Sequence, residues 1–283
     1  MTYVITAATG NIGSRVVEHL IAQGIRPRIF VRDPDKAHGR FGDRVDMVSG
    51  DLDDPRALQS ALREGDSLVL INTGATLAER DARAAQLARQ AGVRHLVKLS
   101  ALSAAQAIAM GGWHARGEAA VRESGIPFTI VQPAGFMSNA LHWAASIKSR
   151  GVVRASTGNG RVAYIHPADI AAVVAAVLTQ PAFVGESIAI TGPHALSYAQ
   201  MTAAIGRAIG RDLTFEAASD QHTRERLLAN GLPDVEAEEL VSLWRAVREE
   251  RLSTVTSGVE RVLARAPLSF DQWAIENAAA FRE

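Results

Sequence analysis

Along the first half of the chain, hydrophobic and polar positions switch between two periods. Short β-branched runs at 3–6, 28–31, 46–49, 67–71 and 95–100 are each followed by a segment with helical periodicity or capping residues. This is the pattern of βαβ units that build a parallel sheet. Helices are expected at 13–23, 55–64, 78–91 and 113–124, the last ending at Gly125-Ile126-Pro127, where glycine can stop a helix and proline cannot continue one. A sixth strand is expected at 128–132. After it, Gly151, Gly158 and Gly160 mark turns, 162–165 reads as a short strand, 167–178 as a helix and 186–191 as the last strand of the main sheet. From Ser197 onward the pattern is helical, as at 198–209 and 234–250, with the segment around Pro267 leading into a final helix.

The turn after the first strand gives this pattern a ligand. Thr6-Ala7-Ala8-Thr9-Gly10-Asn11-Ile12-Gly13 joins a strand to a helix, where free N–H groups and the helix dipole favour a pyrophosphate. Gly10 lets the backbone approach that group, and Gly13 lets helix and strand pack closely. The spacing is that of the G-x-x-G-x-x-G turn of short-chain dehydrogenases, with Ala7 in the place of the first glycine. Alanine there calls for a negative φ or costs strain. The fold expected is α/β: a doubly wound parallel Rossmann sheet with a smaller, mostly helical C-terminal substrate lobe. Residues 1–133 would form the core, 152–192 would add sheet elements, and 134–151 with 193–283 would form the lobe.

Strand ends extend the site. Arg32 offers a planar fork to a 2′-phosphate, which favours NADP, and Lys36 adds charge at the same corner, while Asp33 is a competing ligand for a ribose diol. Asp51 and Leu52 follow strand three and would edge the adenine, although Asp51 could equally cap the next helix. Asn72, Thr73 and Gly74 follow strand four, beside the nicotinamide-side phosphate and ribose.

Composition excludes more than it selects. Thirty basic residues balance thirty acidic ones over 283 residues, so no net field draws the chain to nucleic acid or an anionic membrane. With no cysteine, disulfides, a thiolate nucleophile and a Cys-ligated metal are all excluded. No basic stretch with an apolar core opens the chain, and the longest apolar run, 170–178, is about half a bilayer span. A cytoplasmic protein with no membrane partner is expected.

These motifs, together with Val97-Lys98-Leu99-Ser100-Ala101, Pro133-Ala134-Gly135-Phe136-Met137-Ser138-Asn139 and His166-Pro167-Ala168-Asp169-Ile170-Ala171, resemble the NmrA-like atypical short-chain dehydrogenases over almost the whole chain. The resemblance implies an NADP-binding protein. The family includes quinone, azo and keto reductases as well as proteins that only sense the nucleotide.

The chemistry must differ from that of typical short-chain dehydrogenases. Where those carry Tyr-x-x-x-Lys, this chain reads Trp113-His114-Ala115-Arg116-Gly117-Glu118. His114 and Glu118 share a helical face. They read either as a pocket-facing proton donor oriented by Glu118 or as a structural pair. Ser100 could bond a substrate carbonyl and the cofactor, or cap a turn. Lys98 reads as snorkelling or ribose-contacting. Pro133, Gly135 and Phe136 lie where backbone meets the nicotinamide carboxamide. Phe136, Met137, Trp113, Trp143, Tyr164 and His114 would wall a flat, apolar substrate pocket. No third ligand accompanies His114 and Glu118, so no metal is expected.

A quinone accepts hydride to give a delocalised, weakly basic anion, whereas a simple ketone needs a strong proton donor. The reading is therefore an NADPH-dependent oxidoreductase acting on a quinone or related conjugated aromatic carbonyl compound. The alternative is a non-catalytic NADP-binding redox sensor, and a homodimer is left open.

Overall fold

The computed structural model describes residues 2–106, 108–109 and 111–282. Its strands are β1 (Tyr3–Thr6), β2 (Arg28–Val31), β3 (Asp46–Ser49), β4 (Ser67–Leu70), β5 (His95–Leu99), β6 (Phe128–Pro133), β7 (Val152–Ala155), β8 (Arg161–Val162), β9 (Ser187–Ile190), β10 (Leu196–Ser197) and β11 (Thr214–Ala217). Its helices are α1 (Asn11–Ala22), α2 (Pro34–Phe41), α3 (Pro55–Ala61), α4 (Leu77–Gln90), α5 (Gly111–Glu123), α6 (Ala144–Arg150), α7 (Pro167–Thr179), α8 (Tyr198–Ile209), α9 (Asp220–Ala229), α10 (Asp234–Arg248), α11 (Gly258–Leu263) and α12 (Phe270–Glu276).

Seven strands form one parallel sheet in the order β3-β2-β1-β4-β5-β6-β9. The order reverses between β1 and β4, the switch point beyond which doubly wound sheets hold their ligands. Strand alternation decides which residues face which helical layer. Ile5, Ile29, Val69 and Val97 pack toward α1, α2, α7 and α11, while Val4, Phe30, Leu68 and Leu96 pack toward α3, α4 and α5.

Helix α2 goes beyond the sequence expectation. It buries only Ala37 and Phe41, too few for a periodic stripe, and starts on a local signal: Asp33 caps it and Pro34 opens it. Of 152–192, only β9 joins the main sheet. β7 pairs with β11 and β8 with β10, because their partners lie in the lobe. The expected strand at 162–165 shortens to β8, and Ile165 continues as an isolated bridge to Phe136.

The lobe has its own core of Ile147, Tyr198, Ile205, Phe270, Trp273 and Phe281. Two devices fasten it. Asp169, fully buried in α7, accepts hydrogen bonds from Arg265 at 2.6 Å and from the Leu268 amide at 2.7 Å. Asp220 at the start of α9 pairs with Arg245 at 3.1 Å and Arg248 at 2.8 Å on α10. The Arg248 hydrogen bond holds the Asp220 carboxyl down to about 2. Part of the charge-rich run at 245–251 is thus a clamp between α9 and α10. Among the described residues no helix is long and apolar enough to cross a membrane.

Candidate functional site

The turn after β1 is built around two glycines. Gly10 is the N-cap of α1, no side chain caps the helix, and its first turn carries no acidic residue, so the first amides are free for an anion. A methyl on Gly13 would sit 2.2 Å from the Ala7 carbonyl oxygen, and one on Gly10 would sit 3.1 Å from it. The Gly10 amide donates to that same oxygen at 2.9 Å. Ala7 departs from the expected negative φ: it sits at +50°. Presenting its carbonyl to Gly10 puts it in the left-handed region, at a cost of about 1 kcal/mol for an alanine.

The other turn residues divide their work. The Thr6 hydroxyl donates to the Ile71 carbonyl at 2.9 Å and accepts from the Ile71 amide at 2.8 Å, so it cross-links β1 to the end of β4 and does not face a ligand. Ala8 is buried beneath the turn and Thr9 is half-buried beside it. Ile12 joins Gly10, Asn11 and Gly13 on the wall of the main cavity. Asn11 also donates to the Ser138 hydroxyl at 2.9 Å, tying the turn to the loop after β6.

At the adenosine corner Arg32 is 83% exposed, its Nε 3.8 Å from the Asp51 carboxylate. Asp33 is exposed, and its Oδ1 accepts from the Lys36 amide at 2.9 Å as the cap of α2. Lys36 is exposed on that helix. Asp51 accepts from the Asp53 amide at 2.9 Å, and Asp54, not Asp51, caps α3. Leu52 is partly buried against the α3–α5 layer. Asn72 lines the cavity while donating to the Leu77 carbonyl at 3.1 Å and accepting from the Thr73 amide at 2.9 Å. Thr73 lines it too, and Gly74, at φ +98°, turns the chain away.

The expected pairing of His114 with Glu118 does not form. Glu118 is buried and accepts from the Ser100 hydroxyl at 2.5 Å and Gln132 Nε2 at 2.8 Å, with Arg122 at 3.0 Å. One turn along α5 from His114, Glu118 meets β5 and β6 instead of the imidazole. Ser100 keeps its place on the cavity wall, with its proton directed to Glu118. The His114 ring also lines the cavity, and its Nδ1 is buried without a hydrogen-bond partner among the described residues. Burial, reinforced by the Lys98 charge, pushes its pKa down to about 3. His114 is therefore a neutral imidazole, not an imidazolium acid.

Lys98 neither snorkels nor reaches a ribose. It is fully buried, 2.6 Å from the carboxylate of Asp81 on α4, which is buried to the same degree. Burial pushes the Asp81 carboxyl up, and the ammonium of Lys98 opposes that shift. A methyl on Gly117 would fall 2.2 Å from Asp81 Oδ2, so that glycine lets α5 lie against the pair. The sequence signal was an acidic residue in the apolar stripe of α4.

One cavity of about 560 Å³ runs from the Gly10–Gly13 turn past Asn72, Ser100 and His114 to Phe136, Tyr164 and Trp244. Pro133 and Gly135 line it as expected. Trp113, Met137 and Trp143 do not. Met137 is buried in the lobe core, Trp143 packs on Tyr198 at 5.0 Å between ring centroids, and Trp113 is half-buried away from the cavity. Asn139 and the Leu243, Trp244 and Val247 face of α10, which had no sequence motif, line it instead. Among the described residues no group of three or more His, Asp or Glu could hold a metal ion.

The unfilled amides of α1, the glycine cradle beside Ala7 and the exposed Arg32 fit a dinucleotide laid across the switch point. Comparison with known proteins agrees. Residues 7–181 match the family model described as NAD(P)H-binding. The chain is 38% identical over 281 residues to the (4-alkanoyl-5-oxo-2,5-dihydrofuran-3-yl)methyl phosphate reductase of Streptomyces griseus, with 98% of each chain covered. It is 33% identical over 282 residues to the NAD(P)H azoreductase of Xenophilus azovorans, again with 98% of each covered. In fold it is similar to an NADPH-dependent quinone oxidoreductase of Escherichia coli solved with NADPH, at a TM-score of 0.88, 24% identity, and coverage of 97% of this chain and 99% of that one.

Proposed function

Because the chain belongs to the NAD(P)H-binding family and is an NAD(P)H-dependent oxidoreductase, we propose that it uses NADPH to reduce a neutral, conjugated, electron-poor acceptor, a quinone or related aromatic carbonyl compound first among them. The observation that carries this reading is the single cavity joining the phosphate turn to an apolar end formed by Phe136, Tyr164 and Trp244. No side chain lining it among the described residues is an acid, a lysine or an arginine, which suits a flat, uncharged acceptor.

Bound NADPH would supply the hydride. The chain's own part is to hold and exclude. Amides at the start of α1 would bind the pyrophosphate, and Arg32 the 2′-phosphate. Pro133, Gly135 and Phe136 would flank the nicotinamide. Neutral His114 and the α10 face would keep water from the reacting carbon. With no imidazolium available at neutral pH, acceptors whose reduced form is a delocalised, weakly basic anion are favoured. The relatives' names support this class. A dihydrofuranone bearing an alkanoyl group and an azo compound are both conjugated, electron-poor π systems. The phosphate named for the first has no cationic side chain to meet it at the acceptor end of this cavity.

The test is NADPH consumption by the purified protein with a panel of quinones, azo dyes, unsaturated lactones and simple ketones. Turnover of the conjugated members, and little with simple ketones, is expected. Tight NADPH binding without turnover of any acceptor would overturn the reading in favour of a nucleotide sensor.

A further inference from the structure

Two phenols meet at the acceptor end of the cavity. The hydroxyls of Tyr164 and Tyr198 lie 2.8 Å apart and both rings are buried. Tyr164 lines the cavity and Tyr198 lies behind it. The Tyr164 ring is fixed by the backbone. A methyl on Gly135 would fall 2.3 Å from its Cε1, and the Ile165 amide donates to the Gly135 carbonyl at 2.9 Å. The ring is therefore held against the loop expected to flank the nicotinamide.

The Trp244 indole lines the same cavity. Asn139 lines the cavity together with Tyr164. The hydrogen bond between the two phenols can run either way. With Tyr198, the inner of the two, as the donor, its proton goes to the Tyr164 oxygen. In that arrangement Tyr164 accepts from Tyr198, and its own proton is left for a ligand in the cavity that it lines. Donors aligned head to tail polarise one another, so the last O–H is a stronger donor than an isolated phenol.

Resting on the reductase reading, the geometry points to Tyr164 as the group that hydrogen-bonds the acceptor's oxygen as it gains negative charge, with Tyr198 as a positioning residue behind it. When hydride, carrying two electrons, passes from NADPH to a conjugated carbon of the acceptor, the π pair moves onto the carbonyl oxygen and NADP+ remains. The Tyr164 O–H stabilises that oxyanion without leaving its oxygen, and water supplies the proton that completes the product. This differs from the tyrosine acid of short-chain dehydrogenases: the residue lies after β8, no lysine is among the described residues that line its cavity, and it holds its proton.

The test uses a probe that is not reduced. 4-Nitrophenol, titrated into protein saturated with NADP+ and followed by its visible absorbance, reports both affinity and the pKa of the bound phenol. Nitrobenzene serves as the control lacking the oxygen. Wild-type protein is expected to prefer the phenolate and lower the bound phenol's pKa. Tyr164→Phe should weaken nitrophenolate binding roughly tenfold or more, the worth of a hydrogen bond to a charged oxygen, and abolish the pKa shift, leaving NADP+ and nitrobenzene affinity unchanged. Tyr198→Phe should reduce the pKa shift in part, a change that loss of packing alone would not produce. Wild type without a preference for nitrophenolate over nitrobenzene, or Tyr164→Phe with undiminished preference, overturns the assignment. That outcome is independent of NADPH turnover, which tests the reductase reading separately.

Discussion

The ammonium of Lys98 lies 2.6 Å from the carboxylate of Asp81, and neither side chain is exposed to solvent. A buried charge left alone is costlier than the pair is stabilising. Lys98→Met alone and Asp81→Asn alone should each destabilise by about 3–5 kcal/mol in urea unfolding. A double Lys98→Met, Asp81→Leu variant should recover most of that loss.

His114 should make the protein acid-sensitive while leaving turnover insensitive over the same range. Burial depresses its folded pKa to about 3, below the unfolded value near 6.5. The stability it contributes is complete above about pH 6.5 and is lost as pH falls toward 3, because only the unfolded chain takes up the proton. His95, buried and lowered to about 4, acts in the same direction. Urea midpoints should fall through that window, with a slope of up to about 1.4 kcal/mol per pH unit from each histidine. His114→Gln should flatten the fall. The kcat of wild type should show no loss of an acid group as pH rises through 6.5.

The phosphate turn offers two substitutions of opposite sign. Gly13→Ala places a methyl on the Ala7 carbonyl at 2.2 Å, and NADPH binding by fluorescence titration should be lost. Ala7→Gly removes the left-handed alanine at φ +50°. It should stabilise the protein by up to about 1 kcal/mol in thermal denaturation, less whatever glycine adds to unfolded-chain entropy.

Arg32→Ala should weaken NADPH binding roughly tenfold and NADH binding little, since a charge-assisted contact to the 2′-phosphate is available only in the first. Titrating both nucleotides against both proteins checks it. Equal losses would assign Arg32 to the surface alone.

Most of the sheet was legible because each strand carries its own β-branched run and each turn its own glycine or proline. The phosphate turn was legible for the same reason, its parts being contiguous. What sequence reading missed depends on partners brought together by folding. Glu118 is four residues from His114, yet it accepts hydrogen bonds from Ser100, just after β5, and Gln132 on β6. Lys98 meets Asp81 across the sheet–helix boundary. Trp244 lines the cavity from α10, a helix that Asp220 ties to α9 through Arg245 and Arg248. Met137, Trp143 and Tyr164 are all apolar or aromatic near one loop, and no local pattern distinguishes the two that pack into the lobe from the one that lines the cavity.

Asp169 sits in α7, inside the stretch matched by the family model, but Arg265 and the Leu268 amide satisfy its carboxylate from about a hundred residues later. A fragment cut after residue 181 would retain every strand of the sheet except β9 and yet carry a naked anion against the core beneath α1. Lobe and sheet are therefore expected to melt together in one transition, and exchanging the acceptor end of the cavity as a module requires a new mate for that carboxylate.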